Sequence, residues 1–188
     1  YGINIAPLLA GSEGTLAVIR SAKVNLVQKP KNTILVVLAY RNIAEACDDV
    51  PRLLEHEPSA IELIPQIIIR AARSVPAFAN QMGWVVGDPD ALLVVEFSGD
   101  EPAMLKSKAR GLESRGGAMI TIAESNEEQA RVWNVRRVGL GLMDSKPGSS
   151  RPAAFIEDCG IPVEHLGEFV REVEKILSAH NVEGGMYA

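Results

Sequence analysis

From Thr33 onward the apolar positions of this chain switch regularly between two spacings, runs and alternations on one hand and three-to-four-residue recurrences on the other. "TILVVLAY" is an unbroken run of β-branched and aliphatic residues, which predicts a strand buried on both faces. "IAEACDDVPRLLEHE" then has helical spacing, with Asn42 placed to cap it and Pro51 predicting a break near its middle. "SAIELI" predicts a short strand, and Pro65 opens a helix that runs through Arg73. "ALLVVEFSG" is a second strong strand. "DEPAMLKSKARGLESRGG" reads as a helix with a proline in its first turn and a glycine pair to stop it. "AMITIA" is a further strand. "SNEEQARVWNVRRVGLGLM" opens on a serine with glutamate at the third helical position, a capping box. "DSKPGSSRP" reads as a loop, "AAFIED" as a strand, and "PVEHLGEFVREVEKILSAHN" as an amphipathic helix of about five turns. "VEGGMYA" reads as the start of another strand.

The residues before Thr33 follow a different pattern. "LLAGSEGTLAVI", Leu8 to Ile19, is two apolar runs joined by a Gly-Ser-Glu-Gly-Thr corner. "LAVIRSAKVNLV" alternates well enough to predict a strand, or a bent pair of strands, ending at Val27. "QKPKN" brings proline, charge and asparagine together, as linkers do. Two readings of the corner stand: a hairpin-like turn, or the last piece of a larger domain that lies upstream.

Strand and helix in alternation, with each helix apolar along one stripe, predict an α+β fold: a ferredoxin-like α/β sandwich, with helices packed on an antiparallel or mixed sheet. A doubly wound nucleotide-binding sheet has the same rhythm but requires a glycine-rich turn between a strand and the helix after it. No G-x-G-x-x-G or G-x-x-x-x-G-K-[ST] occurs at such a junction, and "GLG" at 139–141 stands on the wrong side of a helix.

Composition narrows the function classes. Apolar residues make up 47% and charged residues 23%, ordinary values for a globular domain, and the formal charge of −5 argues against a nucleic-acid partner. Cys47 and Cys159 are too few for a disulfide scaffold, a zinc ribbon or an iron–sulfur cluster, and are expected as free, buried thiols. No apolar run approaches the ~20 residues of a membrane span, and the start lacks the pattern of a signal peptide. A soluble cytoplasmic domain is the expectation.

Few residues offer chemistry of their own. His56, His165 and His180 fall on or at the ends of charged helices without shared metal-ligand spacing, and are expected as solvated surface groups. "GSS" at 148–150 has no strand leading into it, so it is no nucleophile elbow. Glu157 and Asp158 end a strand, where a base, a ligand or a cap are all open readings. Arg136 and Arg137 follow Trp133 by about one turn, late in a helix. Such an arginine pair can bind a carboxylate bidentately, or complement the negative end of the helix dipole.

The corner "LLAGSEGTLAVI" with "AKVNLVQKP", together with "VWNVRRVGLGLM" and "RPAAFIEDCGIPVEHLGEFVREVEKIL", resembles the FAD-linked oxidases of the vanillyl-alcohol oxidase superfamily. The resemblance is to the branch of glycolate oxidase and of D-lactate and D-2-hydroxyglutarate dehydrogenases, and covers essentially the whole chain. Ala17 departs from the glycine frequent in that corner. The resemblance implies that residues 1–30 are the tail of an FAD-binding domain plus a linker, and that 31–188 are the C-terminal substrate domain, truncated at its end. It implies that Gly11, Ser12, Gly14, Thr15 and Ile19 run along the FAD, and that Arg136, with Arg137 beside it, contacts the substrate carboxylate. Relatives add a threonine one turn later and a lysine on the following strand; here those places are Leu140 and Ile156, which tilts the expected substrate towards a small monoacid. The family continues after "GGMYA" with metal-binding and catalytic histidines, so no catalytic residue is expected within this piece. A divalent metal and an iron–sulfur module, fused or acting as electron acceptor, are implied outside the chain. The expectation is therefore a fragment of an FAD-dependent 2-hydroxyacid oxidoreductase, inactive alone and prone to self-association, peripheral to the membrane at most in its full-length form. A non-catalytic α+β interaction or regulatory module is the alternative.

Overall fold

The structure, a computed structural model, describes residues 3–113, 120–144, 159–182 and 184–186. Four strands, β1 (Asn32–Tyr40), β2 (Ala60–Pro65), β3 (Ala91–Gly99) and β4 (Ile120–Ala123), form one sheet in the order β2-β3-β1-β4. All three pairings are antiparallel, so β1 and β2 run the same way with β3 between them, and β3 and β4 the same way with β1 between. Two interleaved split βαβ units result, which is the ferredoxin-like arrangement expected from the sequence.

Helices cover both faces. β1 is buried without interruption from Ile34 to Leu38 because alternate side chains enter two separate cores. Ile34, Val36 and Leu38 pack with Val50 and Leu53 of α2 (Ile43–Leu54) and with Leu105, Ala109 and Leu112 of α5 (Pro102–Glu113). Leu35 and Val37 face the other way, towards Ile68, Ile69 and Ala72 of α3 (Gln66–Ser74) and Val132 and Val135 of α6 (Asn126–Asp144). A one-turn helix, α4 (Pro76–Ala79), follows α3. An outer helix, α7 (Leu166–Ala179), docks on the back of α2: Val170 meets Ala44 and Cys47, and Arg171 grips Asp48 with two bonds of 2.8 and 3.0 Å. That grip holds the Asp48 carboxyl below its ordinary range, chiefly through hydrogen bonding.

Local signals act as their chemistry requires. The Asn42 side chain accepts from the Glu45 amide at 2.7 Å, and Ser125 and Glu128 exchange the reciprocal bonds of a capping box at the start of α6. Pro51 does not break its helix. α2 continues through it, with Val50 and Leu53 on either side held in the core. An interior proline costs a helix about 3 kcal/mol, an amount that burial of two large aliphatic side chains can offset.

The N-terminal segment differs from its expected strand. After the single turn of α1 (Ala6–Leu9) no regular structure forms until β1, and Leu16, Val18, Ile19, Val24, Leu26 and Val27 are exposed. Alternation is a strand signal only where one face finds a partner, and this segment finds none among the described residues. The corner is thus no hairpin. Residues 184–186 likewise form no strand, while the expected "AAFIED" strand, "GSS", Glu157 and Asp158 lie outside the described residues.

Candidate functional site

Arg136 and Arg137 stand in α6, which runs on to Asp144, so neither is in its last turn. Helix-dipole effects fade within one turn, and the dipole reading of this pair loses its basis. The two arginines also diverge. Val132 and Val135 turn one side of α6 onto the sheet, and Trp133 packs half-buried at the edge of that core. Arg136 is half-buried with them, whereas Arg137 is exposed. The Arg136 Nε donates to Glu62 Oε2 at 2.9 Å, with side-chain exposures of 26% and 32% for the two residues. Glu62 comes from edge strand β2, where it lies opposite Val94 of β3.

The seat of Arg136 is fixed by the crossing of α6 over α3. Gly139, one turn beyond it, is where the helices touch: a Cβ there would come within 2.5 Å of Ile68 Cγ2. Glycine at this point is required by close approach. Sequence reasoning had only the "GLG" spelling, and the structure places these glycines inside α6.

The corner residues stand apart from the arginines. Gly11 and Gly14 both have φ of +76° and Glu13 has φ of 47°, the left-handed region that glycine adopts without strain. The Thr15 amide and hydroxyl both donate to the Ser12 carbonyl, at 2.9 and 2.6 Å. Gly11, Ser12, Gly14, Thr15 and Ile19 are brought together in one exposed turn and its continuation, and their hydrogen bonds given by the structure are all local. No described residue comes within 4 Å of where a Cβ would stand at either glycine.

Other titratable groups divide by burial. Glu96, on central strand β3, is half-buried, and burial pushes its carboxyl up. Tyr40 donates to Asp49 at 2.6 Å, and burial, followed by that bond, pushes its phenol far up. Cys47 is buried with its thiol pushed up by burial, but Cys159 is exposed, against expectation. His165 and His180 are exposed as expected; His56 is not, since its Nε2 is sealed from solvent without a hydrogen-bond partner among the described residues, and its ring lies beside Gly111. Packing of α5 against the end of α2 encloses it, which the charged sequence around it concealed. No cluster of three metal-ligating side chains occurs among the described residues.

Glu62, the ion-pair partner of Arg136, is not singled out by the sequence. A single charge between Ile61 and Leu63 is the one signal that could have marked it, since such a charge on a strand must find water or a partner.

Comparison with known proteins completes the picture. Residues 29–188 match the family described as FAD linked oxidases, C-terminal domain. The chain is 29% identical to the D-2-hydroxyglutarate dehydrogenase of Pseudomonas putida, an alignment that takes in 98% of this chain and 19% of that protein. It is 26% identical to the D-lactate dehydrogenase [cytochrome], mitochondrial, of Arabidopsis thaliana, over 96% of this chain and 31% of that one. It is 24% identical to Glycolate oxidase subunit GlcD of Bacillus subtilis, over 96% of this chain and 38% of that one. The chain therefore spans between a fifth and two fifths of the curated relatives it matches. With its split-βαβ sheet and its match from residue 29 to residue 188, the chain belongs to the FAD-linked oxidase C-terminal domain family.

Proposed function

We propose that this chain is the substrate-side domain of an FAD-dependent oxidoreductase that oxidises a small D-2-hydroxy acid, with residues 1–30 closing the preceding FAD-binding domain. The observation that supports the reading, beside family membership, is a half-buried guanidinium in the middle of a helix, paired with the strand carboxylate of Glu62. A 2-hydroxy acid is an anion, and a guanidinium is the planar group whose geometry a carboxylate matches. Held there, the substrate would present its α-carbon in a fixed orientation. Arg137, exposed beside it, raises the local positive potential that draws the anion in.

FAD, when bound, supplies the hydride acceptor. The corner fits a place along such a group. Gly11 and Gly14 leave the backbone bare of side chains, and the apolar strip from Leu16 to Val27 lies open for a covering surface. In this reading the strip belongs against the flavin domain, so the isolated chain is inactive and associates with itself through it. The divalent metal and the iron–sulfur or other electron acceptor implied by the resemblance are assigned outside these residues. No helix among the described residues is long and apolar enough to cross a membrane; cytoplasmic residence is part of the proposal. Leu140 occupies the α6 position one turn after Arg136. A leucine carries no group that could pair with a second carboxylate, which favours a monoacid such as lactate or glycolate over 2-hydroxyglutarate.

The test is the visible spectrum of the longest natural chain that carries these residues. A flavin band bleached anaerobically by D-lactate, glycolate or D-2-hydroxyglutarate supports the proposal, and the acid that bleaches it fixes the substrate class. A colourless protein, or a flavin indifferent to all three, refutes it.

A further inference from the structure

α7 rests on the back of α2, and it is docked by a different kind of contact from the helices that cover the sheet. Only Gly167 and Val170 of its 14 residues are buried, whereas the shorter α3 buries Ile68, Ile69 and Ala72 completely. The seam is built from small groups: Ala44 and Cys47 on α2 meet Val170, with Leu166 and Met186 half-buried at the rim. Gly167 brings the two helices close. A Cβ there would overlap Asp48 Oδ1 and stand 3.2 Å from the Ala44 carbonyl oxygen. Arg171 then grips Asp48 at 2.8 and 3.0 Å, both side chains about half exposed. Small groups remove little apolar surface from water, and a half-exposed ion pair is screened by solvent.

We propose that α7 is a latch: it opens from α2 as a unit while the sheet stays folded, and its closed position seals the side of α2 that carries Cys47. Elements with few buried contacts are the ones that open locally. Opening requires no change in the core, because Ala46, Val50 and Leu53 hold α2 to the sheet from its other side. Closed, the latch leaves Cys47 6% exposed, and burial, with the charges of Asp48 and Glu174 beside it, pushes the thiol up. Open, the thiol meets solvent and Glu174 departs with α7, so Cys47 gains the reactivity of an ordinary cysteine.

The test is alkylation of Cys47 by iodoacetamide in the longest natural chain that carries these residues, read on the peptide that holds Cys47 so that other thiols do not interfere. Hydrogen exchange of the β1 amides in the same samples reports opening of the sheet. The opening that exposes Cys47 should be at least about tenfold more frequent than that of β1. Dilute urea should barely change it, while β1 opening rises steeply, since little surface is exposed by the first and much by the second. Arg171→Ala should speed alkylation about fivefold, the upper end for a half-exposed pair. Gly167→Ala should speed it about tenfold or more, because Asp48 cannot swing aside without leaving Arg171. Lys175→Ala, which removes an exposed α7 charge paired with Glu172 of the same helix, should stay within about twofold. Arg171→Ala, a surface change, decides the matter if Gly167→Ala does not fold. Equal opening of Cys47 and β1 with one urea slope overturns the latch, since the thiol is then reached only by unfolding of the sheet. Alkylation of Cys47 as fast as a free thiol overturns the seal, and rates unchanged in Arg171→Ala and Gly167→Ala overturn the role of the seam.

Discussion

Replacing Gly139 by alanine sets two effects of known size against each other. Alanine is a better helix former than glycine by about 1 kcal/mol, so on propensity alone the variant would gain stability. The added methyl, however, would meet three atoms of Ile68, at 2.5, 3.0 and 3.1 Å. Carbon atoms pack at about 3.5–4.0 Å, so the nearest pair must part by roughly 1 Å or more. Ile68 is wholly buried, β-branched and stiff at χ1, so α3 and α6 themselves must separate. Overpacking of this kind costs about 1–3 kcal/mol, and the upper part of that range applies because no flexible side chain can give way. The net expectation is a loss of about 1–2 kcal/mol.

Urea unfolding followed by far-UV circular dichroism measures it, and a cycle with Ile68→Ala assigns the cause. Ile68→Ala alone should cost about 2–5 kcal/mol, and because it removes all three clashing atoms, the double variant should be more stable than the sum of the single losses predicts. A Gly139→Ala protein as stable as its parent, or more so, would refute the close approach. So would strict additivity in the cycle.

Other consequences are simpler. Pro51→Ala restores an amide to the interior of α2 and should stabilise the fold by about 1–3 kcal/mol in the same assay; a loss would mean that the proline ring itself is needed. Burial raises the Glu96 carboxyl in the folded state, so its contribution is fully present below the unfolded value and lost as pH rises through the folded one. Glu96→Gln should therefore raise the melting temperature at neutral pH and leave it nearly unchanged at pH 3; equal effects at both would contradict the desolvation argument. The isolated 188-residue chain should form concentration-dependent oligomers in light scattering, and Val18→Asp with Leu26→Asp, both about nine-tenths exposed, should suppress them without lowering the melting temperature.

Much of this fold is readable from spacing. β1 and β3 stand out because a sheet covered on both faces demands apolar residues at every position, and "TILVVLAY" and "ALLVVEFSG" meet that demand. α6 is marked by its capping box and α2 by Asn42, both local chemistry that needs no tertiary partner. Where the outcome depends on a partner, the spacing misleads. "LAVIRSAKVNLV" alternates like a strand and forms none here, and Pro51 looks like a breaker in a helix that the core holds together. The candidate site divides in the same way. Trp133 and Arg136 share a face because three residues on a helix are nearly one turn. That Arg136 turns inward and Arg137 outward depends on which stripe of α6 meets the sheet, and that Glu62 faces Arg136 depends on register between β2 and β3. Neither is written in local sequence.

The central claim, that Arg136 anchors the carboxylate of a 2-hydroxy acid, is tested most directly by flavin reduction in the longest natural chain, comparing Arg136→Ala with Arg137→Ala. Charged hydrogen bonds contribute about 1.5–3 kcal/mol each, so loss of the half-buried arginine should raise the half-saturating substrate concentration roughly 10- to 150-fold. Loss of the exposed Arg137 should shift it by no more than about threefold, as removal of a solvated charge does. Equal small shifts in both variants, or a large one confined to Arg137→Ala, would contradict the account.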